Sequence, residues 1–262
     1  MRNLDTCFLV KRPTITLVYI YVMGSAKYLA DAQRFVSSYQ QFPPGYDHDT
    51  LVICNLGTPN EHAEKLFAPL PKVWFLAHDN TGQDIGGYIA AASWAESKLL
   101  LCCGAPTHFH RAGWLSRLVD SRLANGPGMY GSSASFERMP HLNSTGFLVD
   151  RELLAMYPWK VITKEDRYNF EHFHTVQDHQ LWCNLYRNGY RAMLVTWDSE
   201  YEWWDWRKPA NGYRRGNQSD LLILWQVADM WTDAPPQVKA SLARDADLVT
   251  NPRFNLRTRS FV

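Results

Sequence analysis

Between His78 and Gly87 the chain reads HDNTGQDIGG. Asp79, Asn80 and Asp84 bring two carboxylates and an amide into one short stretch, punctuated by Gly82 and Gly86. Carboxylates and amides bind the hydroxyls of a ribose or a sugar, and glycine lets backbone approach a ligand closely. The same residue types also suit an ordinary strand-to-helix connection. Further on, His108 and His110 flank Phe109. Alternate residues of an extended segment share a face, so both histidines could reach one ligand, or simply belong to a plain loop. Two histidines without an Asp or Glu partner are too few for a metal site. His172 and His174 form a second pair beside Glu171, and together the pairs leave a transition-metal site open. Trp197, Trp203, Trp204 and Trp206 offer flat rings for a sugar face, and equally suit a core or interface cluster.

These side chains need a frame. Residues 15–23 (ITLVYIYVM) read as a buried strand, and 28–42 carries apolar residues at helical spacing. Residues 50–55 read as a second strand and 60–70 as a short helix with Asn60 at its N-cap. Apolar runs at 73–77 and 98–103 supply two more strands, with the glycine turn 81–87 and a small-residue helix at 88–96 between them. Strand–helix alternation predicts a parallel sheet with right-handed crossovers. Ligands of such sheets bind beyond the carboxyl ends of the strands, which is where Asp79, Asn80, Gly82, Asp84 and Gly86 are expected.

After a polar loop at 105–110, a helix is expected at 114–123, strands at 129–136 and 141–149, and a helix at 150–156. Residues 164–174 read as a polar, aromatic loop. A helix at 178–188 is closed by Gly189 as a C′ glycine, and 191–196 is the last clear strand. The alternation weakens in this half, which predicts a mixed sheet. Residues 197–219 combine Trp, Tyr and charge without a clean period, and a loop of that length is usually functional. A helix at 221–231 and a weakly ordered tail over 234–262 complete the expectation. Residues 1–13 read as a poorly ordered lead-in.

Composition sets outer bounds. At 262 residues, 46% hydrophobic and 20% charged, the chain suits one large globular domain or two small ones. A net charge of +1 gives no case for nucleic acid. No run reaches the ~18 apolar residues of a membrane span. Lys11-Arg12 followed by residues 16–26 loosely imitates a signal peptide, but β-branched and aromatic residues favour a first strand. The five cysteines include no CxxC pair, which favours buried thiols in a reducing compartment. The expected location is the cytoplasm, including its inner membrane surface.

In order, these pieces resemble the GT-A glycosyltransferases over residues 14–200, especially inverting family-2-type and rhamnan-synthesis-type enzymes. Residues 201–262 then form a C-terminal loop, helix and tail on the same domain. Three stretches carry the resemblance. The strand 15–23 with its exit loop looks like the nucleotide-binding first strand. Asn80-Thr81-Gly82-Gln83-Asp84-Ile85-Gly86 is similar to the N-x-G-x-D-x-G signature. Gln177-Asp178-His179-Gln180-Leu181-Trp182, followed by Gly189-Tyr190-Arg191, is similar to the ED-x-x-LW…GYR segment, with Gln177 where glutamate is usual.

The resemblance implies a GT-A-like, Rossmann-like α/β fold with a mixed, mostly parallel sheet flanked by helices. It implies sugar transfer from a UDP-, GDP- or dTDP-sugar to a saccharide or glycan acceptor. Asp178 takes the role of general base; a helix-capping Asp is the other reading. Tyr21, Val22 and Met23 fall beside the nucleoside, and Asp79, Asn80, Gly82, Asp84 and Gly86 contact nucleoside or donor sugar. The family's Asp-x-Asp motif, which holds Mn²⁺ or Mg²⁺ on the diphosphate, is absent: its place, around Cys103 and Gly104, reads LCCGAP. Hard cations want oxygen ligands, so metal dependence is in question. Arg214 and Arg215 are candidates for diphosphate contact, since guanidinium binds phosphate bidentately, though a solvated basic loop is an equal reading. His108, His110 and Trp204 are candidates for the acceptor. Two rivals stand: a non-catalytic nucleotide- or sugar-binding module, and a sugar nucleotidyltransferase, for which Gly24-Ser25-Ala26-Lys27 is a poor phosphate loop.

Overall fold

The computed structural model describes residues 13–135, 140–172, 179–206 and 218–247, with the backbone of 254–255 and 260–261. The first half alternates as expected: β1 (Ile15–Val22), α1 (Ala26–Gln41), β2 (Asp49–Asn55), α2 (Glu61–Phe67), β3 (Val73–His78), α3 (Gln83–Trp94), β4 (Leu99–Cys103) and α4 (Trp114–Asn125). Asn60 caps α2, its side chain accepting from the Ala63 N–H at 3.0 Å. The second half runs β5 (Gly128–Gly131), β6 (Ala134–Ser135), β7 (His141–Leu142), β8 (Phe147–Asp150), α5 (Arg151–Ala155), α6 (Lys164–His172), α7 (Leu181–Arg187), β9 (Arg191–Val195), β10 (Glu200–Glu202), α8 (Gln226–Asp233) and α9 (Pro236–Asp247). A short hairpin, β11 (Phe254–Asn255) and β12 (Ser260–Phe261), follows.

Among the described residues the main sheet has eight strands in the order β10-β9-β5-β8-β4-β1-β2-β3. Strands β4, β1, β2 and β3 are parallel, and β5 and β9 are parallel to each other. Strand β8 runs antiparallel between β4 and β5, and β10 is an antiparallel edge. This is the mixed, mostly parallel GT-A-like architecture. Strand β1 is apolar on both faces because helices cover both. Val18 and Ile20 pack with Tyr88 of α3, while Leu17, Tyr19 and Tyr21 pack on the opposite face with Phe35, Phe67 and Trp114. Cys54, Cys102, Cys103 and Cys183 are buried free thiols. No helix among the described residues is long and apolar enough to cross a membrane.

Several boundaries differ from the sequence reading. Helix α3 starts at Gln83 rather than 88, so Gly86 and Gly87 belong to it. A Cβ at Gly86 would stand 1.9 Å from the Thr81 carbonyl oxygen, and one at Gly87 2.8 Å from Ile20 Cδ1. Close packing, not turn geometry, requires these glycines. Residues 164–172 are helix α6 rather than a loop. Its start is a capping box: Thr163 Oγ1 accepts from the Asp166 N–H at 3.2 Å, and Asp166 accepts from the Thr163 N–H at 2.8 Å. The expected strands 129–136 and 141–149 are each broken in two, producing the β6–β7 hairpin. The helix expected from 221 begins at Gln226, because Leu221 and Leu224 form bridges to Thr196 and His108 instead. The region 197–219 opens with β10 and a 3₁₀ turn at Trp203–Asp205. The tail contains α9.

Candidate functional site

A cavity of about 710 Å³ opens at the carboxyl ends of the parallel strands. Its floor is Ile20 and Val22 of β1, Asn55 of β2, and Gly104 just past β4. One wall is Asn80, Gln83 and Asp84 at the start of α3. A second is the segment at and after β7 (His141, Asn143, Ser144, Thr145) facing Arg167, Tyr168, Glu171 and His172 of α6. Tyr28, Pro106, Trp225 and Val227 close the third side. The volume and the mix of aromatic and polar lining suit a small-molecule ligand.

The loop into α3 is held tightly. Asn80, Gly82 and Gln83 all have left-handed backbones, with φ of 72°, 70° and 58°. Asn55 Nδ2 donates to Asn80 Oδ1 at 2.8 Å, and His78 Nδ1 lies 2.9 Å from Asn55 Oδ1. The Gly82 N–H donates to the Ile162 carbonyl at 3.0 Å, just before α6, and a Cβ on Gly82 would stand 2.4 Å from the Val161 carbonyl oxygen. Clustered left-handed residues are retained where the surroundings over-determine them, as at ligand sites. Gly82→Ala is expected to destabilise the chain by about 2 kcal/mol, since the left-handed backbone alone costs ~1–2 kcal/mol with a Cβ and the clash adds to it. Urea unfolding measures this, and a loss below ~0.5 kcal/mol would contradict the packing described.

The electrostatic centre is Arg167. Its guanidinium donates to Asp84 Oδ1 at 3.1 Å, to Glu171 Oε2 at 2.5 Å and to Ser144 Oγ at 3.2 Å. Burial works against its charge, but Glu171 and Asp84 outweigh it and push the Arg167 pKa up. Burial likewise works to raise the Glu171 pKa, yet Arg167, with His172 and His141, holds that carboxyl well below its ordinary range. The Ser144 N–H donates to Glu171 Oε1 at 3.1 Å. The buried Gln180 amide donates to the carbonyls of Pro140 at 3.4 Å and Glu171 at 3.3 Å. It thereby ties the chain entering β7 to α6.

The expected site residues divide. Val22, Asn80, Asp84 and Gly104 line the cavity. Gly82 shapes its wall as the N-cap of α3. Asp79 is turned to solvent in a local turn, accepting from the Thr81 N–H at 2.8 Å. Gly86 lies inside α3 against Thr81. Tyr21 and Cys103 are buried on the opposite face of the sheet, because strand alternation turns them away from Val22 and Cys102. Burial pushes the Cys103 thiol pKa far up. Met23 packs against that same core. His108 is buried beside Arg34 (2.8 Å from its Nη2) and Asp229, and His110 Nε2 lies 2.6 Å from the Leu221 carbonyl oxygen. Both hold the 221–233 segment and neither lines the cavity. Trp204 sits near the β10 edge with Trp203 and Tyr186, and Trp206 is buried on Trp182. Asp178, His174, Arg214 and Arg215 lie outside the described residues.

Sequence reasoning missed Arg167, His141, Asn143, Ser144 and the cavity tryptophan, Trp225. Two signals were present for α6: the Thr163…Asp166 capping box, and Arg167 and Glu171 at i,i+4 spacing. The place where the resemblance puts Asp-x-Asp does reach the cavity, through Gly104, Ala105 and Pro106. It offers no carboxylate, and Cys102 and Cys103 are locked in the sheet core. These residues do not fit a hard divalent ion there.

The sheet order and the cavity at the strand ends define an α/β protein with a mixed, mostly parallel sheet and a ligand-sized site at its strand ends. No family model matches the chain, and no curated protein matches its sequence. Among solved structures, it is similar to HddC from Yersinia pseudotuberculosis at 10% identity and a TM-score of 0.39, covering 55% of this chain and 80% of that one. The mannosyltransferase PcManGT from Pyrobaculum calidifontis, in complex with GDP-Man and Mn²⁺, gives 10% identity and a TM-score of 0.43 over 57% of this chain and 48% of that one. TarS of S. aureus gives 14% and 0.41 over 55% and 30%.

Proposed function

We propose that the chain transfers a sugar from a nucleotide-sugar donor to a saccharide or glycan acceptor. The observation that carries this is the cavity itself: a nucleotide-sized, polar-walled space at the carboxyl ends of β1, β2 and β4, where α/β sheets bind ligands. Asn55, Asn80 and Asp84 supply the hydrogen-bonding groups that ribose and sugar hydroxyls need. Tyr28, Tyr168 and Trp225 supply ring faces for a base or a sugar.

The resemblance extends this to an inverting transfer with Asp178 as base. Asp178 takes the acceptor hydroxyl's proton, the oxygen attacks the anomeric carbon, and the bond from that carbon to the diphosphate breaks with its electron pair leaving on phosphate oxygen. In this reading Arg214 and Arg215 contact the diphosphate as it departs. Trp204 is exposed near the β10 edge and does not line the cavity, so the acceptor side is better served by the aromatic cavity wall.

Thermal unfolding in the presence of UDP, GDP, dTDP, CMP and ATP tests the reading. A ligand that binds only the native state raises its stability, by about 2.7 kcal/mol at a hundredfold excess over Kd. One diphosphate is expected to raise the unfolding temperature, and Asp84→Asn to reduce that rise. No shift with any nucleotide overturns the donor assignment and favours the module that binds sugar alone.

A further inference from the structure

We infer that His141, Glu171 and His172 form a site for one divalent transition-metal ion, open to the cavity, where the ion meets a diphosphate. The diphosphate half rests on the glycosyl-transfer reading; the metal half does not.

The three residues each offer one ligand atom, and these atoms all lie within 4.8 Å of one another. His172 Nδ1 is 3.4 Å from Glu171 Oε2. Two ligand atoms about 2.1 Å from one tetrahedral ion stand roughly 3.4 Å apart. The His141 and His172 ring centroids are 5.3 Å apart, and two imidazoles sharing an ion place theirs roughly 5 Å apart on the same bond lengths. All three side chains line the cavity, so the remaining coordination positions face the space a ligand would fill.

The surroundings are those a metal carboxylate keeps. Ligating carboxylates are themselves hydrogen-bonded, and such partners fix ligand orientation. Glu171 accepts from the Ser144 N–H on one oxygen and from Arg167 on the other, yet an ionised carboxylate has about four lone-pair sites. Gln180 fixes the backbone at both Pro140 and Glu171, so the two ligand-bearing segments hold their spacing. Two imidazoles and one carboxylate select Mn²⁺, Co²⁺ or Zn²⁺ over Mg²⁺ or Ca²⁺, which want oxygen ligands. Charge agrees with this. Asp84, Glu171 and Arg167 form one ion-paired group of two carboxylates and one guanidinium, which leaves one negative charge. A divalent ion makes the cluster positive, as a diphosphate requires. The metal would thus rest on ligands from β7 and α6 that the Asp-x-Asp position does not supply.

The test uses the full chain without a histidine tag, titrated with Co²⁺ alone and followed by its visible ligand-field absorption. Wild type is expected to develop bands that saturate near one equivalent and are displaced by Zn²⁺. His141→Ala and His172→Ala, checked for fold by circular dichroism, are expected to bind at least tenfold more weakly. Absent bands in wild type, or unchanged bands in both variants, overturn the site. X-ray absorption of the Zn²⁺-loaded wild type needs no variant: two imidazoles with oxygen support the site, and sulfur or oxygen-only ligation overturns it. Inorganic pyrophosphate is then expected to shift the Co²⁺ bands. Mn²⁺ is expected to tighten binding of the favoured nucleoside diphosphate at least tenfold in wild type and not in His172→Ala. Metal binding without either effect overturns the diphosphate half alone. Nucleotide binding that survives EDTA keeps the donor reading separate from both.

Discussion

Arg167→Met is expected to lower stability at pH 7 by about 3–5 kcal/mol, the usual cost of removing one partner from a buried ion pair. The side chain sits between Asp84 and Glu171, and all three are at most one-fifth exposed. Methionine fills much of the space but leaves two carboxylates without their cation. For a domain of ordinary stability, ~5–15 kcal/mol, that is a large share of the total. The loss should also depend on pH, and the sign follows from Glu171. In wild type its folded pKa is depressed below the ordinary 4.5. Its contribution is therefore complete above 4.5 and is lost as pH falls through the folded value. In the variant, burial remains and the main opposing charge is gone, so the folded pKa rises above 4.5. Stability then declines as pH rises through that window. The gap between variant and wild type should be widest at pH 7 and narrow toward pH 4. Urea unfolding at several pH values measures it. A gap below 1 kcal/mol, or one that does not change with pH, would mean that Arg167 matters only for packing.

The same network marks where sequence reading reached its limit. The parallel half of the sheet was legible because β1, β2 and β4 are apolar on both faces, and a run such as ITLVYIYV has no other stable use than a strand covered on both sides. The placement of Asn80 and Asp84 followed from that order alone. What was not legible came from pairs distant in sequence. Arg167 and Asp84 are joined by a salt bridge that no local pattern announces. His141 meets His172 only because β6 and β7 fold back as a hairpin and Gln180 ties it to α6. Polar, aromatic residues 164–172 imitate a loop, since the helix buries only Asn169 and Phe170 and shows no apolar stripe. His108 and His110 lie away from the cavity for the opposite reason. Their alternation left a ligand contact and a plain loop both open, and both side chains bond to the 221–233 segment.

Asp178→Asn is expected to lower kcat by 10²- to 10⁴-fold, the range a positioned general base contributes, or about 2.7–5.4 kcal/mol of barrier. The competing account made Asp178 a helix cap. Helix α7 begins at Leu181, and Gln180 occupies its N-cap position without a side-chain hydrogen bond to the helix, its amide donating instead to the Pro140 and Glu171 carbonyls. His172 lines the cavity, and Gln180 is buried and bonded to the Glu171 carbonyl. In the proposed reading the base acts next to the donor that Asn80 and Asp84 would hold. The substitution keeps the side chain's size and hydrogen-bonding reach and removes its capacity to take a proton. Nucleotide-dependent thermal stabilisation should therefore match wild type while transfer to acceptor collapses. Two outcomes would count against Asp178 as base. Turnover within threefold of wild type would move the proton to another group. Loss of nucleotide stabilisation together with turnover would make Asp178 a binding or folding residue instead.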